Sequence, residues 1–500
     1  MKNFLFSILI LCNSVPAFSV SATPTPQCPE WMSDRSRMPL CPATGLVPET
    51  YPVAAVIVSD EAYIASPDNY AETGTESLFT ADVVTKTLMG AGENLPLMIL
   101  PVTDATMEMI RAKIRSLSIS ETRKKSFLTT LHQVPVKSYT WQQDFMQGVV
   151  NPQTGQLSLR EVAGYTDNRK LPPGYFRSIA DVAAACGLVT PGPPLVPKGG
   201  LENGHMGGNI ETLPGGICML GDDHMTADSW EDYRAQVCPG GDTINVPTKW
   251  LSVGHTDEIV KVVRDNRKQA PCDFSVVLAS PRKARDLLRQ NPDQKFLDFT
   301  GGRAGTPAAL AARRTGEYDG LVQLCAKVQE YRENPATDPS PDSEPGGSSV
   351  NSVSQFKLQL FLGSKAIAQD IGGCDGMTNK EVLRALENGS LGRYNDIVQG
   401  KMDRLKTEMQ ARLADKLPQC SVDFMDTPDA FFGGEPVQKP DGSYDLPKEM
   451  GLSILPNPTN GISVNNTVIT PEPGNKSFKD YIEAEYKKRG LDPQFVDTFD

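Results

Sequence analysis

The stretch Trp250-Leu251-Ser252-Val253-Gly254-His255-Thr256-Asp257-Glu258 (WLSVGHTDE) decides how this chain is read. His255 and Asp257 are two residues apart, the spacing that puts both side chains on one face of a strand. An imidazole beside a carboxylate joins a proton carrier to an anionic holder for a cation. The same residues equally describe a hydrogen-bonded, partly buried histidine at a strand end. Two upstream segments point to the same place: Trp141-Gln142-Gln143-Asp144 (WQQD) and Gly207-Gly208-Asn209-Ile210-Glu211 (GGNIE). Taken singly, Asp144 is also a strand-end aspartate bonded to backbone amides. The Gly207-Gly208-Asn209 run is also a tight turn, and Glu211 a solvated strand residue.

Outward from the motif, short apolar strands alternate with amphipathic helices. Residues 53–58 and 95–101 read as buried strands, and 80–89 as helical. The clearer helix is 104–117, with Met107, Ile110, Ile114 and Leu117 on one face; that face is core packing rather than a cofactor box. The segment 134–149 favours a strand, 174–187 holds a short helix, and 190–208 is a Gly/Pro-rich loop, a substrate gate or a plain surface connection. Strand pieces at 211–221 and 243–263 flank the motif. A strand at 274–279 is followed by a helix at 281–290, a long amphipathic helix at 395–417, and a strand and loop at 421–432. The end reads strand, helix, strand at 454–469, 478–489 and 495–499. Such alternation makes a large α/β protein. The polar stretch 334–351 (NPATDPSPDSEPGGSSVN) cannot bury enough apolar surface to fold and reads as a disordered insertion.

The N-terminus carries Lys2, an apolar run at 4–12 and small residues at Val20-Ser21-Ala22, the pattern of a signal peptide at 1–22. A Pro/Ser/Thr-rich leader follows at 23–50. Export to a periplasm or beyond permits disulfides. Of ten cysteines, Cys12 leaves with the signal peptide, and the remaining nine imply a free thiol or an intermolecular bond. Cys28 and Cys41 are close enough in sequence to pair. No zinc-type Cys/His spacing occurs. The net charge of −12 argues against a nucleic-acid surface and suits a cationic substrate, though acidity also serves plain solubility. No later apolar run is long enough to span a membrane once the signal is cleaved. Sequons stand at Asn388, Asn465 and Asn475.

WLSVGHTDE resembles the His-x-Asp segment of the protein-arginine deiminases, members of the guanidine-modifying pentein superfamily. WQQD resembles their first aspartate segment, GGNIE their Asn-hydrophobic-Glu segment, and CDFSVVLASPRKARDLL (272–288) and SVDFMDTPDAFF (421–432) resemble other parts of the same catalytic domain, all in the family's order. The resemblance runs over 51–500. It implies one pentein-type α/β-propeller of about five βαβ-type modules, the last incomplete. It implies that Asp144 and Asp257 hold a guanidinium, with His255 as general acid and later the base that activates water. Trp141, Gly208 and Asn209 then line the substrate. The reaction is hydrolysis of peptidyl-arginine to peptidyl-citrulline and ammonia.

A guanidinium is planar, cationic and a poor electrophile. Breaking it takes carboxylates that grip its nitrogens, a thiolate for its carbon and a proton donor for the departing ammonia. The family's catalytic cysteine follows a strand and a histidine-containing loop; RGLDPQFVDTFD resembles only the lead-in, and the thiolate is absent from this chain. Calcium, a cofactor of the animal enzymes, is doubtful, because Phe145 and Gln147 stand where those enzymes carry acids. Gln143 and Glu211 remain as ligands of a single weak site, and no organic cofactor is implied. The expected partner is an arginine-containing protein or peptide. Strings like GGNIE also occur in agmatine deiminases, so a small guanidine such as agmatine or free arginine competes. A catalytically dead binder of arginine peptides, keeping Asp144 and Asp257 without the thiol, is the third reading.

Overall fold

A computed structural model of the protein describes residues 53–59, 76–134, 146–150, 157–163, 174–198, 205, 207–222, 227–238, 242–297, 319–333 and 376–496. The expected signal peptide, the leader, the insertion at 334–351, the Cys28/Cys41 pair, and Trp141, Gln143 and Asp144 lie outside these residues.

The architecture is mixed α/β. Among the described residues are five three-stranded sheets, met in chain order. The first is all parallel, with β1 (Ala55–Ile57), β2 (Leu97–Leu100) and β3 (Leu131–Gln133). Helix α1 (Glu76–Gly90) separates the first two strands in sequence, and α2 (Asp104–Ser116) and α3 (Glu121–Thr130) separate the last two. Every residue of β1 and β2 is buried, as continuous apolar strands covered on both faces should be. The α2 stripe of Met107, Ile110 and Ile114 is core.

The other four sheets share a different order: an antiparallel hairpin, then a helical crossover to a parallel strand. In the second, β4 (Met146–Val150) pairs with β5 (Leu157–Glu161), and α4 (Tyr175–Ala185) leads to β6 (Thr190–Pro191). In the third, β7 (Ile210–Leu213) pairs with β8 (Ile217–Gly221), and α5 (Ala227–Val237) leads to β9 (Asp242–Val246). The fourth joins β10 (Val260–Arg264) and β11 (Phe274–Ser280). A longer excursion through α6 (Pro281–Gln290), α7 (Asp319–Glu333), α8 (Asn379–Glu387) and α9 (Gly389–Lys416) precedes its β12 (Asp423–Pro428). Then β13 (Phe431–Phe432), β14 (Val437–Gln438), β15 (Tyr444–Asp445) and β16 (Leu452–Ser453) make two small ribbons, β13 with β16 and β14 with β15. The fifth sheet is β17 (Ile462–Val464), β18 (Thr467–Pro471), α10 (Lys476–Lys488) and β19 (Asp492–Val496).

The unit is thus ββαβ rather than βαβ in four of the five sheets. The fifth sheet also carries three strands among the described residues. Its final strand begins at Asp492, ahead of the expected Phe495, because Pro493 at a sheet edge hides the strand pattern.

Neighbouring sheets share cores. Ile57 and Ile99 pack in one cluster with Leu159, Ile179, Ile210 and Leu220, joining the first three sheets. Leu213, Ile244, Val260 and Leu278 join the third to the fourth under α9. Val263, Val277 and Met425 meet Val468 and Tyr486, joining the fourth to the fifth. Val56, Val84 and Met98 meet Ile462, Ile469 and Val496, joining the fifth back to the first. Gly90 permits that last contact, since a Cβ there would lie 2.3 Å from Thr467 Oγ1. Lys86 Nζ then reaches Phe495 O at 2.6 Å.

Two disulfides between described residues brace the sheets. Cys218–Cys238 ties β8 to the residue after α5, and Cys272–Cys420 ties the lead-in of β11 to that of β12. All six described cysteines are disulfide-bonded, so the free thiol expected from the odd count is not among them. No helix among the described residues is long and apolar enough to cross a membrane.

Candidate functional site

The WLSVGHTDE segment joins β9 to β10 and is anchored before it turns. Trp250 and Leu251 are buried in the core under α9. Trp250 Nε1 donates to Pro247 O at 2.7 Å, and its ring meets Phe431 edge-on at 5.0 Å. Gly451 must be bare to pass that ring, because a Cβ would lie 2.5 Å from Trp250. Gly254, at φ 81°, reverses the chain in a region open mainly to glycine. His255 is extended and stands at the N-cap position of a single 3₁₀ turn, Thr256–Glu258, with no side-chain cap hydrogen bond. The Glu258 carboxylate accepts the His255 N–H at 3.1 Å and closes the turn. The His-x-Asp pair therefore does not share a strand face, as its spacing suggested. The Gly254 reversal and the Glu258 cap end the strand geometry before His255, and β10 begins only at Val260.

GGNIE folds against that turn. Gly207–Asn209 is itself a 3₁₀ turn running into β7. Thr256 Oγ1 donates to Asn209 O at 3.1 Å, and Asn209 Nδ2 donates to Gly221 O at 3.1 Å. A Cβ on Gly208 would lie 2.5 Å from His255 Nδ1 and 3.0 Å from Asp257 Oδ2. The missing side chain of Gly208 is thus what lets the imidazole and the carboxylate converge on one spot. The structure brings His255, Asp257, Gly208 and Asn209 together.

The electrostatics are unusual for a buried centre. His255 is 0 % exposed, and neither ring nitrogen has a hydrogen-bond partner. Burial pushes its imidazole down to about 3, so the ring is neutral near pH 7. His205 shows the satisfied alternative: its Nε2 lies 3.0 Å from Ser229 Oγ, and its carbonyl accepts from Tyr233 OH at 2.7 Å. A buried ring nitrogen without a protein partner is costly unless a water, an ion or a ligand meets it. Asp257 and Glu258 are buried beside it. Behind Glu258 lies Asp429, also buried, whose carboxyl is pushed well above its usual range by burial and further by the Glu258 charge.

Sequence reading missed Asp429, Asn457 and Thr459, which surround the turn from the opposite side. Their signals were the buried-looking TPDAFF and the polar PNPTN, neither of which carries a chemical pattern by itself. Glu211 is buried on β7, opposite Met219. Among the described residues no group of three His, Cys, Asp or Glu side chains is placed to hold a metal; Gln143, the other expected calcium ligand, lies outside them.

No family model and no curated protein matches the chain. Solved structures match over most of its length. One, provisionally assigned as a peptidyl-arginine deiminase, is 9% identical over 91% of this chain and 93% of its own, with a TM-score of 0.42. The agmatine deiminase of C. jejuni is 10% identical over 91% and 90%, at 0.41. That of Enterococcus faecalis is 10% identical over 94% and 92%, at 0.40. Likeness at this level says nothing about individual side chains, and the site rests on its own geometry.

Proposed function

We propose that this chain handles guanidinium groups as a deiminase-type hydrolase on a pentein-like propeller, with peptidyl-arginine as substrate. The observation that carries the reading is the buried, unpartnered His255 ring converging with Asp257 over the bare backbone of Gly208. A planar cation fits there: the carboxylate takes its N–H groups, and a flat ligand lies against a glycine without obstruction. The propeller is supported by the circuit of shared cores, in which the fifth sheet packs on the first.

The chemistry follows from the neutral ring. Deimination needs a thiol nucleophile, which none of the described cysteines supplies; were one to reach the site, His255 would first take its proton. The thiolate bonds to the guanidinium carbon, and the imidazolium, steadied by Asp257, returns the proton as the C–N bond breaks and ammonia leaves. Water then attacks the same carbon, giving up a proton to His255, and the C–S bond breaks to release the ureido product and the thiol. Among the described residues every cysteine is held in a disulfide, which favours a second reading: an arginine-peptide binder without turnover. Agmatine or free arginine replaces the peptide if the site takes only small ligands. We also propose export, supported by the Cys218–Cys238 and Cys272–Cys420 bridges.

Calorimetry with a capped peptide containing one arginine, and with agmatine, tests the reading. Binding of either ligand that weakens at least 100-fold in Asp257→Ala is expected. Equal binding by the wild type and the variant sinks it. Release of citrulline and ammonia separates the enzyme from the binder.

A further inference from the structure

We propose that Asn457 and Thr459, in the turn ahead of β17, are positioning residues that hold the His255–Asp257 pair in register; this rests on the deiminase-type reading of the site. The Thr256–Glu258 turn is too short to satisfy its own carbonyls. The Ile259 N–H takes the Thr256 carbonyl at 3.0 Å. The next two carbonyls are met from about 200 residues away in sequence: Thr459 Oγ1 donates to Asp257 O at 2.8 Å, and Asn457 Nδ2 donates to Glu258 O.

Both donors are themselves fixed. Thr459 N donates to Asn457 Oδ1 at 2.9 Å, and Asn460 N donates to Asn457 O at 3.1 Å. The Thr459 hydroxyl also lies 2.7 Å from Asn457 Oδ1, an acceptor with a second lone pair, so its single proton is shared between Asp257 O and that oxygen. Thr470 Oγ1 on β18 donates to Pro458 O at 3.0 Å and ties this polar turn to the fifth sheet. Asn457 and Thr459 are buried, and each grips the backbone of a residue that belongs to the site or abuts it. A side chain that grips the backbone of Asp257 sets where its carboxylate points. Through Thr470 the fifth sheet thereby steadies the turn that holds the carboxylate beside the imidazole.

The chain has four histidines, so His255 can be followed by imidazole NMR in the intact protein. In the wild type its ring should not titrate down to pH 5. In Thr459→Val, which keeps the shape and removes the donor, the turn loosens and the ring should titrate above pH 5. Binding of the arginine peptide should fall about 10-fold, and Thr459→Ser should restore both. Unchanged titration and unchanged peptide binding in Thr459→Val overturn the proposal. If Thr459→Val does not fold, Asn457→Asp, which loses the amide donor, is read by the same criteria. If the wild type binds no guanidinium ligand but the titration still shifts, the positioning role stands and the deiminase-type reading falls.

Discussion

The two ends of the fourth sheet treat buried acids in opposite ways. At one end, just past β10, the Asp265 side chain is fully buried yet surrounded by donors. Arg267 Nε and Nη2 reach it at 2.8 and 2.6 Å, and Ser275 Oγ at 2.9 Å. Burial alone would raise its carboxyl, but these bonds outweigh it and hold the group at about 2. Arg267 continues to Asp423 at 2.6 Å, and the Cys272–Cys420 bridge closes the same end. At the other end, just past β12, Asp429 has Ser453 Oγ at 2.5 Å and a second oxygen with no partner. The orphaned His255 ring lies at that end too. One end of the sheet is built for stability; the other keeps unmet polar groups, as functional sites do at the expense of stability.

That contrast breaks most visibly at Asp265. Asp265→Ala should lower unfolding free energy by about 2 kcal/mol, below the range for a fully buried pair because Arg267 is 35% exposed and keeps Asp423. Urea denaturation at pH 7 reads this, and arginine-peptide binding should be unchanged; lost binding would mean the two ends are not separate.

The His255 end gives the next effect. Its folded value of about 3 lies below the unfolded 6.5, so the unfolded chain binds the extra proton between those values and stability falls as pH drops through the window. From pH 7 to 5 the wild type should lose about 2 kcal/mol from this group. His255→Gln should lack that slope, and parallel slopes in the two proteins would show the ring to be solvated.

The smallest effect has the opposite sign. Asp429 is raised in the folded state, so its stabilising protonated form is complete below the ordinary carboxylate value and is lost as pH rises through the folded value. Asp429→Asn carries no titrating proton. It should match the wild type near pH 4 and exceed it by about 1 kcal/mol at pH 8. A variant less stable than the wild type at pH 8 would place an unseen donor beside Asp429.

Apolar runs and amphipathic stripes made much of the fold legible. Residues 53–58 and 274–279 read correctly because buried strands are continuous apolar segments. Helix α8 was missed although Thr378 and Glu381 form a capping box, since no long stripe follows it. The sequon at Asn475 misleads in another way. That side chain is 1% exposed, caps α10 and donates to Phe296 O at 2.7 Å, so the folded chain does not present it. In the site, His255, Asp257 and Gly208 were legible as motif letters, but their geometry was not, because Gly254 and Glu258 convert a strand spacing into a turn. Asn457 and Thr459 act through backbone carbonyls, and no side-chain pattern reveals which carbonyl a distant donor will meet.

The core shared by the first and fifth sheets also sets a clock. Val56 and Met98 wait for Ile462, Ile469 and Val496, which leave the ribosome about 400 residues later. At roughly 5–20 residues per second that delay is on the order of 20–80 s. Throughout it the first sheet has no late strands to cover its apolar face, and the face stays open until the last strand arrives.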